Sequence, residues 1–288
     1  MTKLAGVLDA SENRKGSVRS GTLTATRNSQ QRNRDKSKSG VLGFAQKQDL
    51  AVRRPFAVFD IDGTLIRWQL YHAIADTLVH LGYIDRKAFQ AVKDARMQWK
   101  RRTHTDSFKD YEHTLVKLVD SALAQLTIRQ YKKAVGSVFD EYKDQAYTYT
   151  RDLLKELKAK NYLLFAISGS QEEIVEKIAG HYGFDDFVGS TLVQKNGKFT
   201  GEKIVRAGNK HEILEQLIKK HKTSLGGSIA VGDSLGDSSM LEMVDYPIAF
   251  NPEKKLFELA KSEGWKIVAE RKNVVFELES KNGKYLLA

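Results

Sequence analysis

Four aspartates stand where short apolar runs end. Asp60 and Asp62 follow Phe56-Ala-Val-Phe59 in Asp60-Ile-Asp-Gly-Thr-Leu65, and Asp233 and Asp237 follow the run 228–231 in Gly232-Asp-Ser-Leu-Gly-Asp237. A third run, 162–167, leads into Ser168-Gly-Ser170. If the runs are parallel strands, these residues meet at one edge of a sheet, where ligands bind in open α/β folds. Four ionised carboxylates gathered there repel one another, and a hard divalent cation resolves the conflict. Mg2+ suits such a set, because it takes carboxylate oxygens, waters and a substrate phosphate. The chemistry this equips is phosphoryl transfer. Asp60 is placed to act as a covalent nucleophile, and Asp62 to protonate the leaving oxygen and then activate water. Gly63 permits the sharp turn between them and the next element. Ser168 and the backbone N–H groups that follow it, from Gly169 onward, are suited to holding phosphate oxygens.

The elements that must position these residues alternate. Buried-strand runs at 56–59, 162–167, 228–231, 247–250 and 266–268 are separated by helical patterns at 151–160, 171–182, 210–221, 237–244 and 253–263. Such alternation predicts a doubly wound, Rossmann-like parallel sheet covered on both faces. From Arg67 to Tyr147 the strand signal disappears. Leu70, Ile74 and Leu78 repeat at helical spacing before Gly82. Ala88, Val92, Ala95 and Trp99 form a second face, and Phe108, Tyr111, Leu115 and Leu118 a third. Thr127 with Gln130 is a capping box that opens a fourth helix. The expected organisation is therefore an α/β core at 55–66 and 148–270, an inserted all-helical cap at 67–147, and a C-terminal hairpin extension at 271–288 around Asn282-Gly283. A further hairpin, 189–194 with 198–201 around Asn196-Gly197, is expected to interrupt the core.

Asp60-x-Asp62-Gly-Thr, Ser168 after the second strand, a lysine opening a later helix, and Gly232-Asp233-x-x-x-Asp237 resemble the four ordered motifs of the haloacid dehalogenase superfamily. The helical insert after the first motif looks like that superfamily's first-position cap. Gly197-Lys-Phe-Thr-Gly201, Asn209-Lys-His-Glu-Ile-Leu214 and Ala249-Phe-Asn251 resemble its phosphoserine-phosphatase-like branch. The resemblance spans about 55–270. It implies a Mg2+-dependent phosphomonoester hydrolase in which Asp60 is the nucleophile and Asp62 the general acid/base. The metal shell would be Asp60, the backbone carbonyl of Asp62, and Asp233, with Thr64 and Asp237 in support. The phosphate would be held by Ser168, Gly169 and a lysine, either Lys203 or Lys210; Lys210 is preferred because it opens an amphipathic helix. In the cap, Trp68, Gln69 and His72 are candidate substrate contacts. True phosphoserine phosphatases carry an acid shortly after the first motif and a cap arginine; here Gln69 and Leu115 fall at those positions. Phosphoserine is therefore expected to be a poor substrate, and an ester without an amino-acid head a better one.

Composition bounds the alternatives. The chain has 288 residues, 41% hydrophobic and 29% charged, and a net charge of +11. Residues 1–54 hold twelve bases against four acids, whereas the remaining 234 hold 35 against 32, so the excess belongs to the first segment. That segment has one aromatic residue, Phe44, and is expected to be a disordered basic tail. Its possible roles are a solvated extension, a weak polyanion-binding arm, or an organelle presequence on an otherwise cytoplasmic protein. Zero cysteines exclude disulfides and thiol catalysis, and no apolar run is long enough to span a membrane. Two other functions remain open at this point. One is a phosphotransferase using the same intermediate, and the other is a nucleic-acid-binding protein built on a hydrolase-like scaffold. Oligomeric state is not encoded in any pattern found.

Overall fold

The run Phe56–Phe59 becomes β1 in the computed structural model, which describes residues 53–287. All four of its side chains are buried, and they alternate between two cores. Ala57 and Phe59 face one layer and Phe56 and Val58 the other, as the period-two geometry of a strand requires. β1 lies between β2 (Leu163–Gln171) and β5 (Ile229–Gly232), both parallel to it. β3 (Asp186–Lys195), β6 (Tyr246–Phe250) and β7 (Lys266–Arg271) extend the parallel set outward. β4 (Lys198–Ile204), β8 (Val274–Lys281) and β9 (Lys284–Leu287) finish the edges in antiparallel pairing. The order is β4-β3-β2-β1-β5-β6-β7-β8-β9. The winding direction reverses at β1, which creates the crevice where ligands bind in such sheets. Helices α5 (Thr148–Ala159) and α6 (Glu172–Tyr182) cover one face. The other face carries α7 (Lys210–Lys220), α8 (Ser238–Leu241) and α9 (Lys254–Glu263).

Several sequence expectations are corrected. The hairpin at Asn196-Gly197 does not interrupt the core, because its first strand, β3, pairs in parallel with β2. The C-terminal hairpin is likewise continuous with the sheet, since β8 pairs with β7 through Arg271 and Val274. The helix expected at 237–244 is confined to α8. The preceding loop is wound around the Asp237 carboxylate, in a capping box with Ser234. Arg53 and Arg54, assigned to the tail, are tied to the core. Arg54 donates to the carbonyls of Asn161 (3.0 Å) and Tyr162 (3.1 Å), and its own carbonyl accepts from the Thr223 hydroxyl. The rest of the expected tail lies outside the described residues.

Four helices occupy the long insert: α1 (Leu70–His80), α2 (Gln90–Lys100), α3 (Ser107–Leu123) and α4 (Ile128–Tyr142). The capping box of Thr127 and Gln130 opens α4 as the sequence predicts. The chain leaves and re-enters the core side by side. Arg67 N–H donates to the Gln145 carbonyl and Tyr147 N–H to that of Leu65, both at 2.9 Å. Glu270 of β7 fastens this crossing. Its buried carboxylate accepts from Arg67 and from the Thr148 and Tyr149 N–H groups. Arg67 also lies over the Tyr147 ring. Glu270→Ala would leave these donors unmet, each costing about 1–3 kcal/mol. The expected loss is at least ~2 kcal/mol, read as a melting temperature lower by roughly 5 °C or more. The β3–β4 hairpin supports the insert from below. Thr127 bridges to Lys198, Tyr131 packs edge-on against Phe199, and Lys203 pairs with Asp120 of α3.

Candidate active site

Asp60 leaves β1 with its N–H still bonded to the Val231 carbonyl of β5, so its side chain stands at the sheet's carboxyl edge. Lys210, the first residue of α7, reaches it there. The Lys210 ammonium donates to Asp60 at 2.7 Å, to Asp237 at 2.6 Å and to the Ile167 carbonyl at 2.9 Å. It is only 5% exposed, and its pKa is raised, since the two carboxylates outweigh its burial. Lys203, by contrast, is committed to Asp120 away from this cluster. Of the two lysines, the geometry brings Lys210 to the carboxylates.

Asp62 is 8% exposed and held at both oxygens. Oδ1 accepts from Leu70 N–H at 2.6 Å, and Oδ2 from the Ser168 hydroxyl at 2.6 Å. Burial raises its pKa against these bonds, which favours a carboxyl able to carry a proton. Asp60 is pushed up to about 7, chiefly by burial, with Asp237 and Asp62 adding repulsion and Lys210 opposing. Asp233 is also raised, first by burial and then by Asp60 and Asp237. Asp237 is fully engaged by Lys210, the Ser234 hydroxyl and the N–H groups of Asp233 and Ser234, so it braces the loop. Two glycines permit this crowding. A Cβ on Gly63, which has φ +82°, would overlap the Asp233 carboxylate, and one on Gly232 would overlap Asp237.

Carboxylate oxygens of Asp60, Asp233 and Asp237 lie within 4.8 Å of one another. With Asp237 spoken for, Asp60 and Asp233 are left as acidic donors whose repulsion Lys210 offsets only in part, and this donor set fits a hard divalent cation.

The other expected residues fall in different places. Ser168 lies within β2, not after it, at the start of an irregularity in its pairing with β3. Gly169 is exposed, and its carbonyl accepts from the Ser190 hydroxyl. Thr64 is buried; its carbonyl accepts from Thr150, and its own hydroxyl has no partner among the described residues. Trp68 and Gln69 are half-buried on the segment between Gly63 and α1, with Trp68 beside Trp99. His72 is corrected. It is 1% exposed inside the insert, 4.8 Å from the Tyr111 ring, and burial holds its pKa down at about 3. It is a neutral interior residue rather than a substrate-facing one. Sequence reasoning missed Glu112 of α3, whose carboxyl is pushed up by burial and then by the charge of Asp62, and Ser170, whose N–H donates to the Ser168 hydroxyl at 2.9 Å. Ser170 was visible beside Ser168, whereas Glu112 carries no motif.

A family model described as haloacid dehalogenase-like hydrolase matches residues 57–242. The chain belongs to this family. It is 28% identical over 211 residues to a phosphoserine phosphatase of Methanocaldococcus jannaschii, covering 72% of this chain and 90% of that protein. It is 22% identical over 227 residues to a histidinol-phosphatase of Neisseria meningitidis serogroup C, covering 74% and 97%. A solved structure of a phospho-aspartyl intermediate analogue of phosphoserine phosphatase superposes with a TM-score of 0.55 at 26% identity, over 77% of this chain and 95% of that one. The chain is thus a hydrolase of phosphoric monoesters in the phosphoserine-phosphatase-like branch. No described helix is long and apolar enough to cross a membrane.

Proposed function

We propose that this hydrolase is Mg2+-dependent and acts on a small phosphate ester through an aspartyl phosphate on Asp60. The observation that carries the reading is the Asp60 carboxylate at the end of β1, held by Lys210 and crowded by Asp233 and Asp237. Asp60, the backbone carbonyl of Asp62, and Asp233 are the groups that would hold the metal. When bound, Mg2+ neutralises charge on the phosphate and on these carboxylates.

The protein's own groups supply the rest. Lys210, Ser168 and the Gly169 N–H fix the phosphoryl oxygens. An Asp60 oxygen attacks phosphorus and the ester P–O bond breaks, while Asp62 gives its proton to the departing alkoxide. Asp62, now ionised, takes a proton from water as that water attacks the acyl phosphate, releasing phosphate and restoring Asp60. The bond from Leu70 N–H sets the Asp62 rotamer for both transfers, while the single Ser168 proton, on Asp62 in this structure, turns to the phosphate when the ester binds. One relative is named for phosphoserine and the other for histidinol phosphate, so what they share is ester hydrolysis and not the alcohol. A panel of small phosphate esters, assayed with Mg2+ and with chelator, tests the reading. Turnover only with the metal is expected, and turnover unaffected by the chelator would defeat the metal role.

The raised Asp60 carboxyl gives a second test. Its folded pKa of about 7 lies above the reference value of 3.8. Folding therefore takes up a proton between those values, and metal-free stability falls as pH rises through that window. A cation replaces that proton. The Mg2+-induced rise in melting temperature should be larger at pH 8 than at pH 5, and an equal rise at both would refute this.

A further inference from the structure

Of the four clustered aspartates, Asp233 alone has a carboxylate that makes no hydrogen bond among the described residues. Its direction is therefore set by the backbone that carries it, and that backbone is clamped from two sides. From within the loop, the Asp237 carboxylate accepts from the N–H groups of Asp233 and Ser234, at 3.1 and 2.9 Å. From outside, the Glu253 N–H donates to the Asp233 carbonyl at 2.8 Å, and Glu253 Oε1 accepts from the Leu235 N–H at 2.9 Å. One residue of another element thus grips the loop on both sides of Ser234.

Glu253 is anchored for this. It stands at the start of α9, where its carbonyl accepts from the Phe257 N–H at 2.8 Å and opens the helix. Two residues earlier, Asn251 takes a left-handed turn with φ +43°, which asparagine tolerates better than most side chains. Its N–H donates to the Val268 carbonyl of β7 at 2.7 Å, and its Oδ1 accepts from the Glu270 N–H at 2.8 Å. Pro252 between them fixes one more backbone angle. The segment 251–253 is a strut from β7 to the loop 233–237.

The direction of the Glu253 side chain is informative. A polar residue at a helix start ordinarily turns back to accept from the N–H groups of its own helix. Glu253 makes no such bond and reaches across to Leu235 instead. It is exposed, so core packing does not account for it either.

Taking the Mg2+-dependent reading above as given, we propose that Glu253 is a positioning residue for Asp233. It holds the loop in the conformation from which the Asp233 carboxylate would bind the cation. It acts through its hydrogen bond to Leu235 and not through its charge.

The test measures Mg2+ binding to the full chain by calorimetry, with no ester present. Glu253→Ala should raise the Mg2+ Kd by about tenfold, the scale on which outer partners of metal ligands act. Its kcat at saturating Mg2+ should stay within about threefold of wild type, because the groups that react are untouched. Glu253→Gln loses the charge but keeps an oxygen that can accept from Leu235, so its Kd should stay within about threefold of wild type. An unchanged Kd in Glu253→Ala, with or without a lower melting temperature of the metal-free protein, would overturn the inference. A Glu253→Gln variant as weak as Glu253→Ala would overturn it too, since charge alone would then explain the loss. Absence of Mg2+ binding by the wild type would instead overturn the metal reading, and this inference with it.

Discussion

Asp60→Asn protein folds, keeps its melting temperature to within a few degrees, and loses turnover by on the order of 10^3-fold or more. The amide has the shape of the carboxylate and still accepts from Lys210, so the local packing survives. What it lacks is the nucleophilic oxygen anion. Rapid quenching of the wild type should in turn trap phosphate on Asp60, as an acyl phosphate that hydroxylamine cleaves. Residual activity within tenfold of wild type, or label trapped on another residue, would remove Asp60 from the nucleophile's role.

Lys210→Met has the second-largest expected effect, and it acts on both stability and rate. The ammonium is the only cation bonded to Asp60 and Asp237 among the described residues, and all three groups are buried. Removing one partner of such a cluster costs about 3–5 kcal/mol, because the remaining charges stay out of water. Asp60 can take up a proton instead, so the loss should be smaller at pH 5 than at pH 8. Mg2+ should recover part of it. The phosphoryl group also loses a clamp, and kcat/KM is expected to fall by at least ~10^2-fold. A variant that melts like wild type at pH 8 would show that Lys210 does not neutralise the cluster.

The chemistry was largely readable in the sequence because it sits at strand ends, where type and spacing are enough. Asp60, Asp62, Ser168, Asp233 and Asp237 each follow an apolar run, and parallel pairing of β2, β1 and β5 brings those ends together. The insert's helices were readable from their periodicity and from the Thr127 capping box. Tertiary pairings left no local trace. Nothing near Arg67 announces Glu270, 203 residues away, and nothing in the Asn196-Gly197 turn reveals that its first strand joins the central sheet. His72 was misjudged because spacing gives the face of a helix but not what packs over it; here α3 supplies Phe108 and Tyr111. Glu112 was invisible for the opposite reason. An isolated acid on an amphipathic helix reads as a solvated position until the fold brings burial and the Asp62 charge to bear on it.

The side-by-side crossing of 65–67 with 145–147 makes the insert an exchangeable cassette. Its two ends are already joined by backbone hydrogen bonds, so a different helical segment could be spliced there without moving β1 or α5. One condition travels with the graft. Asp62 borrows its fixing bond from the first N–H of α1, so a replacement must begin with a helix start at the same place. A cassette that meets this condition would inherit the Asp62 carboxyl ready-aligned and bring only a new set of cap contacts. One that fails it would bind its ester beside an acid free to turn away.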